Sequence, residues 1–397
     1  MQVKHCILPG RTVSSMKNGR RSWCAAALGL ATIGRRCHNP LARKTIDFGK
    51  RLPTLVKTTR RPSVTLKDVA RAAGVSVATV SRALNNPGRI SAEITAHVQR
   101  TAKSLRYVPD RAARSLVSKH FSTMGAVVPT IDNAMFAKAM HVLQSRLNAM
   151  GYSLLLASTD YQASREASEL QSLVERGVDG IVLVGGSHDA EVTRLLDETQ
   201  TPYVNVWIYD EASHSPCIGF DNRAAMRRLT NHLIDLGHRR FGMIAGITEG
   251  NDRAAQRLAG MRDALAAHRI DMPAERIVER PYTIADGRSA LRMLMDQRER
   301  PTAVVCGNDI LAFGALCECA AHGIKVPQAL SVAGFDDFEL SSHLTPSLTT
   351  MHVPAVEIGQ HAADYLIARL AGKPTPHRIR LECELIVRDS TARPASN

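Results

Sequence analysis

Two sets of polar residues in this sequence have the types and spacing to recognise other molecules. The first lies in VTLKDVARAAGVSVATVSRALNNPGR, residues 64–89. Arg82 there carries the planar donor fork that suits bidentate contact to guanine O6 and N7. Val77 and Ala78 offer apolar surface suited to thymine methyls, and Ser81 completes an outward-facing quartet. Thr65, Ser76, Thr79 and Asn85 carry hydroxyl or amide groups for phosphate contact or helix capping. The second set stands beside short apolar runs: Asp221 with Asn222, Asn308 after TAVVCG, and Asp336 closing LSVAGFD. Arg253 and Arg257 open the segment after RFGMIAG, and Phe136 opens the one after MGAVVP. Arginine, aspartate and asparagine converging on one cleft would hydrogen-bond hydroxyls or a carboxylate. Trp207 reads equally as a stacking platform or as a core or interface ring. Each polar residue also has a plain reading as a cap or surface charge, and Asp309, beside Asn308, reads as a helix cap.

Groupings that would make bonds are not apparent. No G-x-G-x-x-G follows the first apolar run, no Walker lysine motif is present, and the 15 histidines are scattered singly. We therefore expect no catalytic residues, no metal site and no cofactor.

The elements that must position the first set are short helices. Thr65 with Asp68 forms a capping pattern, and Leu66, Val69, Ala70 and Ala73 share a face. Gly74 suits a positive-φ stop, with Val75 packing beneath the bend. Ser76 caps a second helix whose Val80, Ala83 and Leu84 face back onto the first. A third helix reads from Ser91 to about Leu105, burying Ile94, Val98, Ala102 and Leu105. Two helices about a tight glycine turn make a helix-turn-helix, whose second helix can lie in the DNA major groove.

From Met124 onward, apolar runs typical of buried parallel strands (124–129, 152–158, 180–186, 240–246, 302–308, 330–336) alternate with amphipathic segments. The latter fall at 134–150, 164–176, 223–236, 254–268, 309–322 and 355–371. This is βαβ architecture in two consecutive sets, and open α/β sheets bind ligands at the carboxyl ends of their strands.

Charge separates the same regions. Residues 1–60 carry a net +12, residues 61–120 a net +8 and residues 121–397 a net −6. The positive excess lies where phosphate neutralisation would need it. Eight cysteines (6, 24, 37, 217, 306, 317, 319, 383) form no CxxC pair, which fits reduced core thiols in a cytosolic protein. No apolar run reaches the roughly 18 residues of a membrane span.

The order of VTLKDVARAAGVS, TVSRALN, YVPDRAARSL, GND, SVAGFDD and LTT over residues 64–390 resembles the LacI/GalR family of bacterial repressors. That resemblance implies an all-α helix-turn-helix DNA-binding domain followed by a periplasmic-binding-protein-like α/β core of two Rossmann-like subdomains. The implied boundaries are 61–108 for the DNA-binding domain, 109–123 for a hinge helix and linker, and 124–397 for the core. Subdomain 1 spans about 124–236 and 354–382, and subdomain 2 about 237–353 and 383–397. Implied partners are a palindromic double-stranded DNA operator, a second copy of the chain, and a small effector, a sugar or sugar acid. The chain ends soon after LIVRDSTARP without a heptad repeat, so a dimer lacking a tetramerising helix is expected. The implied location is the cytoplasm, on the nucleoid.

The family's effector-gripping arginine stands just before LAG, here Arg257; the length of the NDRAAQR loop leaves Arg253 as its rival. In the family, DRAARSLV (110–117) is a hinge helix formed only on operator DNA. Its leucine, here Leu116 with Ala113 and Arg114 beside it, wedges into a central minor-groove step. Competing classes are a secreted or periplasmic sugar-binding protein and a nucleotide-dependent α/β enzyme. The first leaves the helix-turn-helix unexplained, and the second lacks its phosphate motifs.

Residues 1–60 read as translated sequence upstream of a start codon chosen too early, and as largely unfolded. A basic DNA-binding arm is the second reading. Arg35-Arg36 follow the apolar stretch where a signal peptide would need small residues. The wedge yields a prediction: Leu116→Ala weakens binding to a palindrome selected from random duplex DNA far more than binding to random DNA. Fluorescence anisotropy on both duplexes checks it, and equal losses would count against the wedge.

Overall fold

The computed structural model describes residues 64–85, 87–108 and 121–395. Residues 1–60, and with them the expectation of an unfolded extension, lie outside the described residues, as do Ala113, Arg114 and Leu116.

The N-terminal unit holds α1 (Leu66–Ala73), α2 (Val77–Asn85) and α3 (Ala92–Ser104). Thr65 Oγ1 accepts from Asp68 N at 3.4 Å while Asp68 returns a bond to Thr65 N at 2.9 Å, a reciprocal capping box. Gly74 takes φ 65°, a left-handed conformation without penalty only for glycine. Ser76 Oγ then accepts from Thr79 N at 3.0 Å to start α2. Val69, Ala73, Val80, Ala83, Val98 and Ala102 close a small core. His97 Nε2 lies 3.2 Å from Ala73 O and ties α3 to the end of α1. One expectation fails here. Ile94 is 38% exposed and Thr95 is buried in its place. Thr95, Val98 and Ala102 share a face, and Ile94 stands about 100° round the helix from Thr95.

The core begins with β1 (Thr123–Val128), α4 (Ala134–Ala149), β2 (Ser153–Ser158), α5 (Ala163–Glu175) and β3 (Gly180–Val184). It continues with α6 (Ala190–Thr199), β4 (Tyr203–Val206), β5 (Cys217–Gly219) and α7 (Asn222–Asp235). A second series follows: β6 (Phe241–Gly246), α8 (Asp252–Ala267), β7 (Ile277–Arg280), α9 (Ile284–Met295), β8 (Ala303–Cys306), α10 (Asp309–Ala321) and β9 (Ser331–Ala333). The remainder is α11 (Glu339–His343), β10 (Thr350–His352), α12 (Ala355–Leu370), β11 (Arg378–Arg380) and β12 (Glu384–Ile386).

Two parallel sheets result. One runs β11-β5-β4-β3-β1-β2 and the other β7-β6-β8-β9, while β10 and β12 form an antiparallel pair. β3 and β6 are buried along their whole length, as strands covered by helices on both faces must be. After the second series the chain returns to the first sheet. There α12 packs on α4, with Arg146 Nε donating to Asp364 Oδ1 at 2.8 Å, and β11 joins the edge of the six strands.

α9 and α10 cross at near-backbone contact. A Cβ on Gly287 would lie 2.4 Å from Leu311 O, and one on Gly314 would lie 2.3 Å from Ile284 O. Gly287→Ala must force these helices apart, and overpacking of this kind costs about 1–3 kcal/mol. Urea unfolding should show that loss; a midpoint equal to the parent's would contradict the crossing.

Candidate DNA-reading face and ligand cleft

α2 turns Val80 and Ala83 inward, so its opposite face is solvent-facing. Val77 is 41% exposed, and Ser76, Ala78 and Arg82 are exposed beside it. Ser81 is half-buried. Arg82 Nε donates to Ala78 O at 3.2 Å, which lays its guanidinium along the same face as Ala78. The hydroxyls of Thr65 and Ser76 are engaged in caps, and Ser76 Oγ also lies 2.8 Å from Thr79 Oγ1. Asn85 closes α2.

In the core, five of the seven expected ligand residues line one cleft: Phe136, Arg253, Arg257, Asn308 and Asp336. The Phe136 and Trp207 rings meet edge to face at 4.9 Å and form its aromatic wall. Arg257 is 6% exposed. Its Nε donates to Asn222 Oδ1 at 2.9 Å and its Nη1 to Gly307 O at 2.7 Å. Its guanidinium lies 3.7 Å over the Phe335 ring, and Asp336 Oδ1 stands 3.7 Å from Nη1. Arg253 takes a different part. Its Nη1 reaches Val184 O at 3.1 Å and Asp252 Oδ1 at 2.9 Å. Asp252 Oδ2 accepts from Gly186 N at 2.7 Å and Ser187 N at 3.3 Å. The start of α8 is thereby fastened to the loop after β3, across the cleft.

Three expectations need correction. Asp221 does not line the cleft; its Oδ1 accepts from Ala224 N at 2.9 Å and caps α7. Asn222 is fully buried one layer behind, where its Nδ2 donates to Trp207 O at 2.9 Å and its Oδ1 holds Arg257. Asp309 is not the cap of α10. Asn308 is, accepting from Leu311 N at 3.0 Å. Asp309 is fully buried and accepts from Ser341 Oγ and Thr350 Oγ1, each at 2.6 Å, and from Phe338 N at 3.0 Å.

Asn133, Met135, Tyr161, Asn251 and Tyr282 also line the cleft, and the sequence reading missed them. Tyr161 follows β2 as Asn308 follows β8, so the strand-end rule applied to every strand finds it. Tyr282 follows β7, a four-residue edge strand whose apolar pattern is too short to stand out in the sequence. Trp207 at φ 65°, Tyr161 at 59° and Asp336 at 123° occupy backbone regions that cost non-glycine residues energy, and all three line the cleft. The space between them is about 30 Å³. That is room for about two waters.

Fold and site together define a DNA-reading helix-turn-helix joined to a two-sheet core with a polar ligand cleft. Residues 65–110 match the family described as bacterial regulatory proteins, lacI family, and residues 230–391 match a periplasmic binding protein-like domain. The HTH-type transcriptional repressor CytR of Escherichia coli (strain K12) is 32% identical over 330 residues, spanning 83% of this chain and 96% of that one. The ribose operon repressor of Haemophilus influenzae is 34% identical over 328 residues, 82% of this chain and 98% of its own. Among solved structures, the lac repressor dimer bound to operator and the anti-inducer ONPF has a TM-score of 0.75. It is 26% identical and covers 83% of this chain and 99% of that one. The CelR–cellobiose complex has a TM-score of 0.61, is 30% identical and covers 83% and 100%. The chain belongs to the lacI family and is a DNA-binding transcriptional regulator of the repressor type, controlled by a small ligand.

Burial pushes the Asp336 carboxyl up to about 7; Arg257 pulls it down, and Asp309 adds to the rise. It is therefore mostly protonated at pH 6 and mostly ionised at pH 8, where it becomes an acceptor for a ligand hydroxyl. Ligand affinity should rise about tenfold between those values. Asp336→Asn should flatten that profile, and calorimetry at both pH values measures it. An equally steep profile in the variant would assign the titration to another group.

Proposed function

We propose that the cleft binds a neutral, hydroxyl-rich molecule of the sugar class, and that its arrival weakens DNA binding by parting the two halves of the core. The observation that carries this reading is charge matching. Arg257 faces Asp336 and Arg253 is paired with Asp252, so above about pH 7, where Asp336 is ionised, both guanidiniums have carboxylate partners. An anionic ligand would bring a surplus charge into this buried site, whereas a neutral polyol uses the remaining donor and acceptor capacity. The Phe136–Trp207 wall supplies an apolar face for the C–H side of a sugar ring. The ribose operon repressor and the cellobiose complex among similar proteins support the same class.

In this reading Arg257, Asn308 and Asp336 hold hydroxyls, Phe136 and Trp207 stack, and Arg253 reports closure. Val77, Ala78, Ser81 and Arg82 read base edges, while Thr65, Ser76, Thr79 and Asn85 serve phosphates or caps, with Arg114 and Leu116 in the minor groove. The protein works as a homodimer on a palindromic operator, since two-fold protein symmetry is mirrored in the site it reads. The lac repressor dimer on its operator supports that assembly. Residues 61–108, 109–123 and 124–397 act as reader, hinge and sensor. The protein binds without chemical turnover and acts in the cytoplasm, where its DNA is.

The test pairs neutral sugars with their uronic acids. With the full chain on a selected palindrome, a neutral sugar should raise the melting temperature and release DNA, read by anisotropy, while its uronic acid does neither. Tighter binding of the acid would overturn the charge argument.

A further inference from the structure

The strand and helix that serve the cleft border a second space at their other ends. β6 (Phe241–Gly246) leads toward Asn251 and Arg253 at one end and starts directly after Arg239 and Arg240 at the other. α8 (Asp252–Ala267) carries Arg253 and Arg257 in its first two turns, and its last residue stands two before Arg269. Sixteen helical residues span about 24 Å, which sets the two spaces well apart. Arg239, Arg240, Arg269 and Arg276 line the second one, a cavity of about 490 Å³ that shares no residue with the cleft. That volume suits a small molecule.

The charges of its wall lie at different depths. Arg276 is buried and Arg240 half-buried, whereas the three acids, Asp271, Glu275 and Glu299, are exposed. Part of the cationic surface is already used. Arg239 Nη1 donates to Ile234 O at 3.1 Å and to His238 O at 2.8 Å, which closes the end of α7. Arg276 Nη2 donates to Glu299 Oε2 at 2.9 Å, yet the Glu299 side chain is 74% exposed, so an entering anion can replace it. Arg240 differs from both. Its Nε is enclosed without an acceptor, and among the described residues its guanidinium makes no hydrogen bond or ion pair. Folded chains normally satisfy such groups, and this one leaves the Arg240 charge for something in the cavity to balance.

We propose that this cavity is an anion site for a small phosphate monoester that also carries hydroxyls. The phosphate lies between Arg240 and Arg276 in place of the Glu299 carboxylate, because planar guanidinium forks match phosphate oxygens. Ligand hydroxyls donate to the exposed carboxylates of Asp271 and Glu275. A neutral ligand would leave Arg240 unbalanced. A segment of an acidic protein would set its further carboxylates against the three acids of the rim. The site stands independently of what the cleft binds.

The experiment uses the full chain and isothermal titration calorimetry in about 0.15 M salt, with sorbitol 6-phosphate, sorbitol, inorganic phosphate and tetraglutamate as probes. Sorbitol 6-phosphate should bind about tenfold tighter than sorbitol or inorganic phosphate, the worth of one charge-assisted hydrogen bond. Arg240→Gln should weaken it about tenfold, and Glu299→Gln, which frees Arg276, should tighten it about threefold. Melting temperatures verify that both variants fold, and a gain in affinity cannot arise from misfolding. Asp336→Asn, in the cleft, should change it less than about twofold. Equal binding of sorbitol and its phosphate, unchanged affinity in Arg240→Gln, or a loss in Asp336→Asn would each overturn the site. Inorganic phosphate that binds as tightly as the monoester would overturn the hydroxyl contacts. Tighter binding of tetraglutamate would overturn the small-molecule assignment in favour of an acidic protein segment.

Discussion

The cleft is organised by one buried cation. Arg257 is 6% exposed, and an unpaired guanidinium at that depth would cost several kcal/mol, so its surroundings must satisfy it. Asn222 is spent on its Nε, the Gly307 carbonyl on its Nη1, Phe335 on its face, and Asp336 on its charge. These partners come from the start of α7, the loop after β8 and the loop after β9. A single side chain on α8 therefore sets the spacing of three strand ends. The strained backbone at Asp336 follows, because its carboxyl is drawn toward Arg257 while its N–H donates to Met351 O at 2.9 Å. A ligand that meets Arg257 and Asp336 meets groups already fixed, which lowers the ordering cost of binding.

That arrangement also explains how much of the site could be read from the residues. Asn308 and Asp336 were legible because strand ends in open α/β sheets face the ligand crevice whatever the ligand is, and Arg257 because the family resemblance places an arginine just before LAG. Asp221 obeyed the same rule and still caps α7, because a carboxylate one residue before a helix has a local donor at hand. Asp309 went the other way. Its position predicts a cap, and long-range donors from Ser341 and Thr350 claim it instead, partners 32 and 41 residues away. Sequence spacing carries no information about such pairings.

The strands divide in the same manner. β1, β3, β6 and β8 are covered by helices on both faces and announce themselves as continuous apolar runs. β4 is four residues long and carries Asn205, β5 is three residues long, and β7 is an edge strand with partly exposed ends. Short or edge strands need few apolar residues, so their pattern is faint, and Tyr282, which follows β7, is easily overlooked. The helix-turn-helix was more legible because its signals are local: a capping box, a glycine turn and a serine cap within twelve residues, Thr65 to Ser76. The phase of α3 eluded it, where Thr95 is buried in place of Ile94, and Ser81, expected to face outward, is half-buried.

The cross-cleft fastening joins these regions through β3. At one end of that strand, Asp179 accepts from Phe121 N at 2.8 Å and Thr123 N at 3.2 Å, gripping the chain where it leaves residues 109–120. At the other end, Val184 O receives Arg253 while Gly186 and Ser187 donate to Asp252. β3 is fully buried between β1 and β4, so it moves with its sheet as a body. In the parting proposed above, the Asp252 and Arg253 contacts break while the Asp179 grip is kept. A ligand can shift this equilibrium only by the difference in its affinity for the parted and fastened forms. In the proposed reading, the narrow space of about 30 Å³ in the fastened form supplies such a difference, because a ring binds the parted form better.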